Sequence, residues 1–546
     1  MRQHGLFVRR SYYMTDTKKI FYITTAIPYM NASAHIGHVY EMVLADILAR
    51  YHRGKGESLV FLTGSDEHGS KIVRAAQKAE KSTQAFVDGY VKEYQELWKD
   101  YLISYDEFIR TSDKEKHWPG AQALWNKLMK AGDIYKGTYH GLYCVGCEAF
   151  VTEKELVDLP APSGARQAGG KCPHHNTVPE KIDEENYFFR LANYTTRIRE
   201  TIVSGEFVII PEGRKNEILE LLSGEVEDIS FSRPEGAIPW GVPVPGDATQ
   251  MMYVWCDALS NYITAAGYGI DEARFARLWP ADIQVVGKDI VRFHAVIWPA
   301  MLLSAGIPLP KSLLVHGFIT SGGRKMSKTI GNVVDPREYV ERHGAEALRF
   351  FLAREVSSVE DGDFTEEKLI ASYNGNLANG IGNLVSRTTK MAVQYFDGAV
   401  TRTPETDVPI NQTVETMSGV ETREGWTIPY VIKNDILPAY TSAMEKCEVH
   451  RAMEAVSRLT ALLDAYIAGH EPYKLIKTDR VKTESIIANA LYGISCAAKM
   501  LEPVIPESAK KIITTLGAND EMTSFHVTPL EASLFPRKEP IKPTEQ

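Results

Sequence analysis

The chain is 546 residues long, with 44% hydrophobic and 24% charged residues. This globular composition excludes collagenous, wholly disordered and disulfide-scaffold proteins, and the length calls for three or four domains at roughly 150 residues each. Its 61 Lys and Arg against 70 Asp and Glu give a net charge of −9, which excludes a polybasic protein that coats nucleic acid by bulk charge but not a locally basic groove. No run comes near the roughly 18 consecutive apolar residues of a membrane span. Six cysteines are too few for a disulfide framework, so a soluble protein of the reducing cytoplasm, with no membrane partner, is expected.

Residues 1–18 read as an N-terminal extension. Arg2, Arg9 and Arg10 occur in the first thirteen residues without an acid, a faint echo of a transit peptide, and Met14 serves equally as a start. From Lys19 the pattern is strand (20–26), a turn at Pro28, an apolar-periodic helix (35–51), a second strand (58–64) and a helix from Ser70. Alternating strand and helix predicts a parallel sheet covered on both faces, whose first half spans 19–117. A helix over 120–131 then leads into an irregular Gly, Cys and Pro-rich stretch, an insertion with its own small fold over 118–233. Sheet-like runs resume at MMYVW (251–255), IQVVG (283–287) and SLLVHGFIT (312–320), giving the second half of the sheet over 234–320. After a loop-bearing segment (321–370), helical periodicity dominates 371–530 and predicts a bundle. Within it the polar, Thr and Glu-rich stretch 397–426 reads as a surface loop, and 531–546, rich in Lys, Glu and Pro, as a flexible tail.

Three constellations carry chemistry. AIPYMNASAHIGH places the tetrad HIGH at a strand-to-helix turn, so His35 and His38 lie one turn apart on one face at a helix N-terminus, and Gly37 leaves room for a ligand. That arrangement suits a phosphate. After the strand ending at Gly317, FITSGGRKMSKTIGN offers a mobile glycine-rich loop whose Lys325 and Lys328 can fold over a triphosphate and neutralise charge on leaving diphosphate. Third, Cys144, Cys147, Cys172 and His175 have the spacing of a Cys₃His zinc knuckle, with His174 as the alternative fourth ligand. Four closed ligands describe a structural ion, and reduced cysteines without metal are the plain alternative.

HIGH and KMSK, each at the end of a sheet strand, resemble the class I aminoacyl-tRNA synthetases. The order of AIPYMNASAHIGH, TGSDEHG, YVWCDALSNYITAAG, VVGKDIVRFHAVIWPAML, VHGFIT, the paired cysteines and NLVSR is similar to that of the methionyl-tRNA synthetases, over roughly 19–477. The insertion is too short for the editing domain of the isoleucine, valine and leucine enzymes. The resemblance implies an α/β chain: a split Rossmann-like parallel sheet with an inserted zinc-knuckle connective domain, a KMSK loop and stem-contact segment, and a C-terminal α-helical anticodon-binding bundle. It implies ATP, L-methionine and tRNA(Met) as substrates, Mg²⁺ with the ATP, one structural Zn²⁺, and a monomer, since nothing resembling an appended oligonucleotide-binding barrel follows the helices.

Carried over residue by residue, the resemblance implies a methionine pocket of Ala26, Ile27, Tyr29, Trp255, Ala258, Leu259, Tyr262, Ile290, His294 and Trp298, with Asp66 holding the ammonium group. A flexible thioether among aromatic rings gains about 0.3–1.5 kcal/mol per contact. His35, Gly37, His38, Gly287, Asp289, Lys325 and Lys328 would serve ATP, with Asp289 on the ribose. Asn383, Arg387 and Tyr473 would read the anticodon, whose unpaired bases are recognised by stacking and edge hydrogen bonds. The chain departs from the family pattern at Leu259, where proline is common, at Thr329, where serine is usual, and at Tyr473, where tryptophan is usual. Two rivals share the phosphate site: another HIGH-type nucleotidyltransferase making a small adenylated metabolite, and a non-catalytic RNA-binding relative.

Overall fold

Apolar residues in the first strand pair off to opposite sides of the backbone, and this period-two alternation repeats in the strands that follow. In a computed structural model, which describes residues 19–144, 149–151, 156–157, 170–173, 177–326, 332–403, 407–410, 412–416, 419–423 and 425–539, these strands form one six-stranded sheet. They are β1 (Phe21–Thr25), β2 (Leu59–Ser65), β3 (Glu107–Arg110), β4 (Val208–Ile210), β5 (Ile283–Gly287) and β6 (Ser312–His316). Their order is β3-β2-β1-β5-β6-β4, and every pair is parallel. The pleat sends Ile23, Phe61, Val285 and Leu314 into one buried layer and Tyr22, Leu62, Val286 and Leu313 into the other, as a sheet covered on both faces requires.

Helices cover the two faces unequally. Helix α1 (Ile36–Gly54), which follows β1, packs on the first layer. Helix α2 (Val254–Leu259) and helix α3 (Trp298–Ser304), which follows β5, pack on the second. The chain therefore leaves adjacent strands β1 and β5 toward opposite faces, and a crevice opens between their C-terminal ends. The first layer runs on without a break into α4 (Ala345–Arg354), α5 (Asn383–Phe396), α6 (Val449–His470), α7 (Arg480–Leu501) and α8 (Pro506–Leu516), so the helical bundle shares its core with one side of the sheet.

That seam holds a buried ion pair. Arg349 on α4 and Asp46 on α1 are both fully enclosed, with Arg349 Nη2 2.7 Å from Asp46 Oδ2. Arg349 also donates to the carbonyls of Val504 (2.8 Å), Pro503 (2.8 Å) and Tyr101 (3.1 Å). Asp46 accepts from Arg50 at 2.7 Å and from the Ser104 backbone at 2.7 Å. Each nitrogen of the guanidinium and both carboxylate oxygens are bonded, the kind of compensation that burying charge requires.

Several expectations change. Val208–Ile210, read as part of the 118–233 insertion, is the edge strand of the main sheet beside β6. The insertion keeps a sheet of its own, in the order Ala149–Val151, Ile134–Cys144, Glu180–Phe189, Ile229–Ser230. The run 251–255 does not rejoin the main sheet. Asp247–Met252 pairs antiparallel in a three-stranded sheet with Pro243–Val244 and Ser232–Pro234, and α2 starts at Val254. The stretch 397–426 is not simply a loop, because Gln412–Thr416 and Gly419–Arg423 pair as an antiparallel hairpin and Ala399–Thr401 pairs with Ser524–His526. The tail is held as far as 539: Phe535 is buried against Gly382, and Lys538 exchanges two hydrogen bonds with Asn374, at 2.9 and 2.8 Å.

Replacing Arg349 with Ala should lower stability by about 3–5 kcal/mol by stranding a buried carboxylate. A denaturant titration checks this: the double variant Arg349→Met/Asp46→Leu should recover most of the loss, and an unchanged midpoint for the single variant would contradict the account.

Candidate active site

The crevice is built by backbone before any side chain enters it. Beyond β1 the AIPY segment continues parallel pairing on both sides: Ala26 N–H donates to Val285 O at 3.0 Å, Asp66 N–H to Pro28 O at 2.9 Å and Met30 N–H to Asp66 O at 2.9 Å. Tyr29 and Asp66 thus sit side by side, and of the predicted methionine residues Ala26, Ile27, Tyr29 and Asp66 share one rim.

Across the crevice, α2 presents Trp255, Ala258 and Leu259, and Tyr262 follows. The Tyr262 hydroxyl lies 2.7 Å from His294 Nε2, while His294 Nδ1 lies 2.9 Å from the Ile290 carbonyl. A carbonyl can only accept, so the ring proton sits on Nδ1 and Nε2 accepts from the tyrosine. Burial, partly offset by that carbonyl, pushes the His294 pKa down to about 4. His294 lies on a π-helical turn, Phe293–Ile297, the kind of wide turn often found at functional sites. Trp298, also expected in the pocket, is fully buried beside Tyr262, 5.9 Å between ring centroids. A residue absent from the sequence reading, Phe293, stacks on Trp255 at 3.6 Å and 12°. It lies beside His294 in VRFHAVIW, a segment already singled out.

The next part of the crevice rests on α1. His35 is its N-cap, with Gly37 N–H donating to His35 Nδ1 at 3.1 Å and His35 N–H donating to His38 Nδ1 at 3.2 Å. The two histidines form a reciprocal capping box, in the manner of the Ser/Thr and Glu pair that commonly does so. Both Nδ1 atoms accept, so in the neutral rings both protons lie on Nε2. The imidazoles stack at 3.8 Å. Burial, then His35 and His316, keep the His38 pKa well below 6.5, so His38 is a neutral donor. No acid lies in the first turn of α1, which leaves its positive end available to an anion. A Cβ on Gly37 would come within 2.9 Å of the His35 ring.

At the end of β5, a Cβ on Gly287 would meet Asp289 Oδ1 at 2.7 Å, so glycine is what lets that carboxylate fold back over the strand end. Lys288 is held by both Asp361 oxygens at 2.7 Å. Beneath them a pair missed in the sequence, Glu41 and His316, is joined at 3.0 Å. Burial raises the Glu41 pKa, and Glu41 in turn raises that of His316 against burial.

The lysine loop begins as a hairpin, not a simple mobile loop. Ile319–Ser321 pairs with Arg324–Lys325 across Gly322 and Gly323, whose φ values of 61° and 73° suit the two-residue turn. Asp363 accepts from Gly323 N–H at 2.7 Å and Thr320 Oγ1 at 2.9 Å, bracing both strands. The Lys325 side chain and Lys328 lie outside the described residues.

Of the zinc set, Cys144 and Cys172 are described, 0% and 1% exposed. Cys144 ends a long strand, and Cys172 N–H closes a turn onto Thr177 O at 2.9 Å. Two enclosed thiols on a strand end and a turn fit a thiolate metal site in chemistry. Cys147, His174 and His175 lie outside the described residues, and among those described no three His, Cys, Asp or Glu converge as a metal site. Far from the crevice, Asn383 is exposed on α5, Tyr473 is half exposed, and Arg387 is bonded at 2.7 Å to Asp464 on α6, a partner not foreseen. Among the described residues no helix is long and apolar enough to cross a membrane.

Comparison with known proteins gives two family matches: tRNA synthetases class I (M) over residues 21–389, and the anticodon binding domain of methionyl tRNA ligase over 429–535. A methionine–tRNA ligase of Caldanaerobacter subterraneus subsp. tengcongensis is 40% identical over 93% of this chain and 75% of its own, and one of Thermotoga maritima is 37% identical over 93% and 77%. The Mycobacterium tuberculosis methionyl-tRNA synthetase in complex with methionyl-adenylate superposes with a TM-score of 0.85 at 34% identity, covering 95% of this chain and all of that one.

Two outcomes are expected. Gly37→Ala should leave the fold intact yet lower the rate of the first chemical step by about 10²-fold, through displacement of the His35 ring, as read by steady-state kinetics beside circular dichroism. His294 is neutral when folded and protonates near 6.5 when unfolded, so the protein should lose about 3 kcal/mol as pH falls from 6.5 to 4. Denaturation across that window should show a shallower loss for His294→Asn, and parallel curves would contradict it.

Proposed function

The chain belongs to the methionyl family of class I tRNA synthetases, and from that premise we propose how its residues divide the reaction. ATP, L-methionine and tRNA(Met) give L-methionyl-tRNA(Met), AMP and diphosphate. In the first step the methionine carboxylate attacks the α-phosphate of ATP, forming methionyl-adenylate and releasing diphosphate. In the second the terminal adenosine of the tRNA takes the methionyl group and AMP leaves.

No protein nucleophile is needed, so catalysis reduces to positioning and charge stabilisation. Asp66 and the Ile27 backbone hold the ammonium group, while Trp255, Ala258, Leu259, Tyr262, Ile290 and His294 with Ala26 and Tyr29 enclose the thioether, Trp298 backing them. The Nε2–H donors of His35 and His38 meet the phosphates at the α1 N-terminus, beside Gly37. Gly287 and Asp289 hold the ribose, and Lys325 and Lys328 neutralise the departing diphosphate. Mg²⁺ arriving with the ATP would add charge neutralisation to that of these residues. The observation that carries this reading is the double use of Nδ1 as acceptor in the His35–His38 box, which turns both imidazoles into N–H donors at a helix N-terminus with no acid in its first turn.

The same reading assigns 19–117 and 234–320 to catalysis, 321–370 to the lysine loop and acceptor-stem contact, and 371–530 to the anticodon, through Asn383, Arg387 and Tyr473. A structural Zn²⁺ held by Cys144, Cys147, Cys172 and His175 would cross-link the insertion. Support for it comes from the enclosure of the two described thiols.

His38→Ala and Lys328→Ala should each lower methionine-dependent ATP–diphosphate exchange by about 10²-fold or more without unfolding the protein. Near-normal exchange in either folded variant would sink the assignment. Metal analysis of the purified protein should find one zinc per chain, lost in Cys144→Ser, and a zinc-free wild-type protein would contradict the knuckle.

A further inference from the structure

Behind the pocket wall lies a polar cluster with no role in the reaction described above. Asp257 stands on α2 between Trp255 and Ala258 and is 1% exposed. Its Oδ2 lies 2.6 Å from His68 Nδ1 and its Oδ1 2.7 Å from His117 Nε2, and His117 Nδ1 lies 2.9 Å from Thr264 Oγ1. His68 and His117 are 2% and 0% exposed. The carboxylate therefore binds together three separate parts of the chain: the segment after β2, the lead-in to the helix Trp118–Ala131, and the pocket helix.

The segment after β2 is the one that carries Asp66. His68 follows Asp66 by two residues, and Asp66 is tied by its backbone to both Pro28 and Met30. On the far side of His68, Trp240 Nε1 donates to the Glu67 carbonyl at 2.7 Å and Gly69 N–H to the Trp240 carbonyl at 3.2 Å, so the segment cannot slide along the sheet edge. A continuous path of directed bonds thus runs from the Tyr29 rim through Asp66 and His68 to Asp257, and so to Trp255 and Ala258.

We propose that Asp257, gripped by His68 and His117, is a positioning residue that fixes the distance between the Asp66 carboxylate and the Trp255–Ala258 wall, so that one ligand's ammonium group and apolar side chain are engaged together. This rests on the reading of that crevice as the methionine pocket. Apolar packing alone would leave α2 able to shift along a greasy surface, whereas two hydrogen bonds to opposite oxygens of one carboxylate fix it in direction and depth. Burial works against the Asp257 charge, yet His68 and the hydrogen bond from His117 hold its pKa at about 2, so the carboxylate stays an acceptor at working pH. Neither imidazole needs to touch substrate for this role.

ATP–diphosphate exchange with methionine and ATP varied separately tests it. Asp257→Asn should raise the methionine KM about tenfold or more with the ATP KM changed less than about twofold. His68→Ala and His117→Ala should act in the same direction, and His68→Asn and His117→Gln, which return an N–H at the Nδ1 and Nε2 positions, should restore most of the affinity. Thr264→Val removes the outer hydrogen bond to His117, together with a local one from Thr264 Oγ1 to the Asn261 carbonyl at 3.2 Å, and supplies a milder variant, expected to raise the methionine KM about threefold, should the others fail to fold. An unchanged methionine KM in folded Asp257→Asn, or two KM values that rise together without rescue, overturns the proposal. Trp255→Ala serves as the control: if it too leaves the methionine KM unchanged, the pocket reading fails, and if it raises the KM while Asp257→Asn does not, only the positioning role fails.

Discussion

The parting of the chain at the C-terminal ends of β1 and β5 is the constraint on which the site depends. The two strands are hydrogen-bonded neighbours, yet the helix after one covers the first face of the sheet and the helix after the other covers the second. Into that opening the fold brings a helix N-terminus from one side, a glycine–lysine–aspartate turn from the other, and two aromatic walls. A helix N-terminus suits an anion, and a crevice with aromatic walls suits an apolar side chain.

Two histidines of the crevice are neutral rings. His38 is held neutral and His294 likewise, each with its tautomer set by a specific partner. Lys288, just past the end of β5, is engaged by Asp361. Neutral N–H groups that point where charge develops need no reorganisation and carry little desolvation cost, which is why preorganised donors serve transition states well. The same economy of charge applies to the whole chain. A net charge of −9 is no obstacle to an RNA partner that is read by base edges and stacking at a few placed residues, and global charge is the wrong scale on which to judge such a partner.

Much of this was legible in the sequence because local pattern and tertiary role coincide. The strands β1, β2, β5 and β6 are apolar runs bounded by turn residues, and HIGH falls where a strand hands over to a helix. Legibility failed where a residue's partner is remote. Val208–Ile210 is three residues long, and only its pairing with β6 makes it a strand. Asp247–Met252 ends in apolar residues like a core strand, but its partners are local antiparallel neighbours. The hairpin strands QTVET and GVETR are mostly polar in sequence, so no hydrophobic alternation announces them. Leu534 and Phe535 stand at the head of a Lys, Glu and Pro-rich tail, too short an apolar pair to mark a docked segment, yet Phe535 packs beside Gly382. Asp257, Phe293 and Glu41 lay inside or beside motifs already singled out, but their roles arise from contacts across as many as 275 positions, as for Glu41 with His316.

The central claim is that this crevice and the helical bundle together select one amino acid and one anticodon. The most direct test is aminoacylation of separated tRNAs with each of the twenty amino acids in turn. The account predicts methionine attached to tRNAs that bear the CAU anticodon, and negligible charging elsewhere. Efficient charging with another amino acid, or methionine transferred without regard to the anticodon, would contradict it.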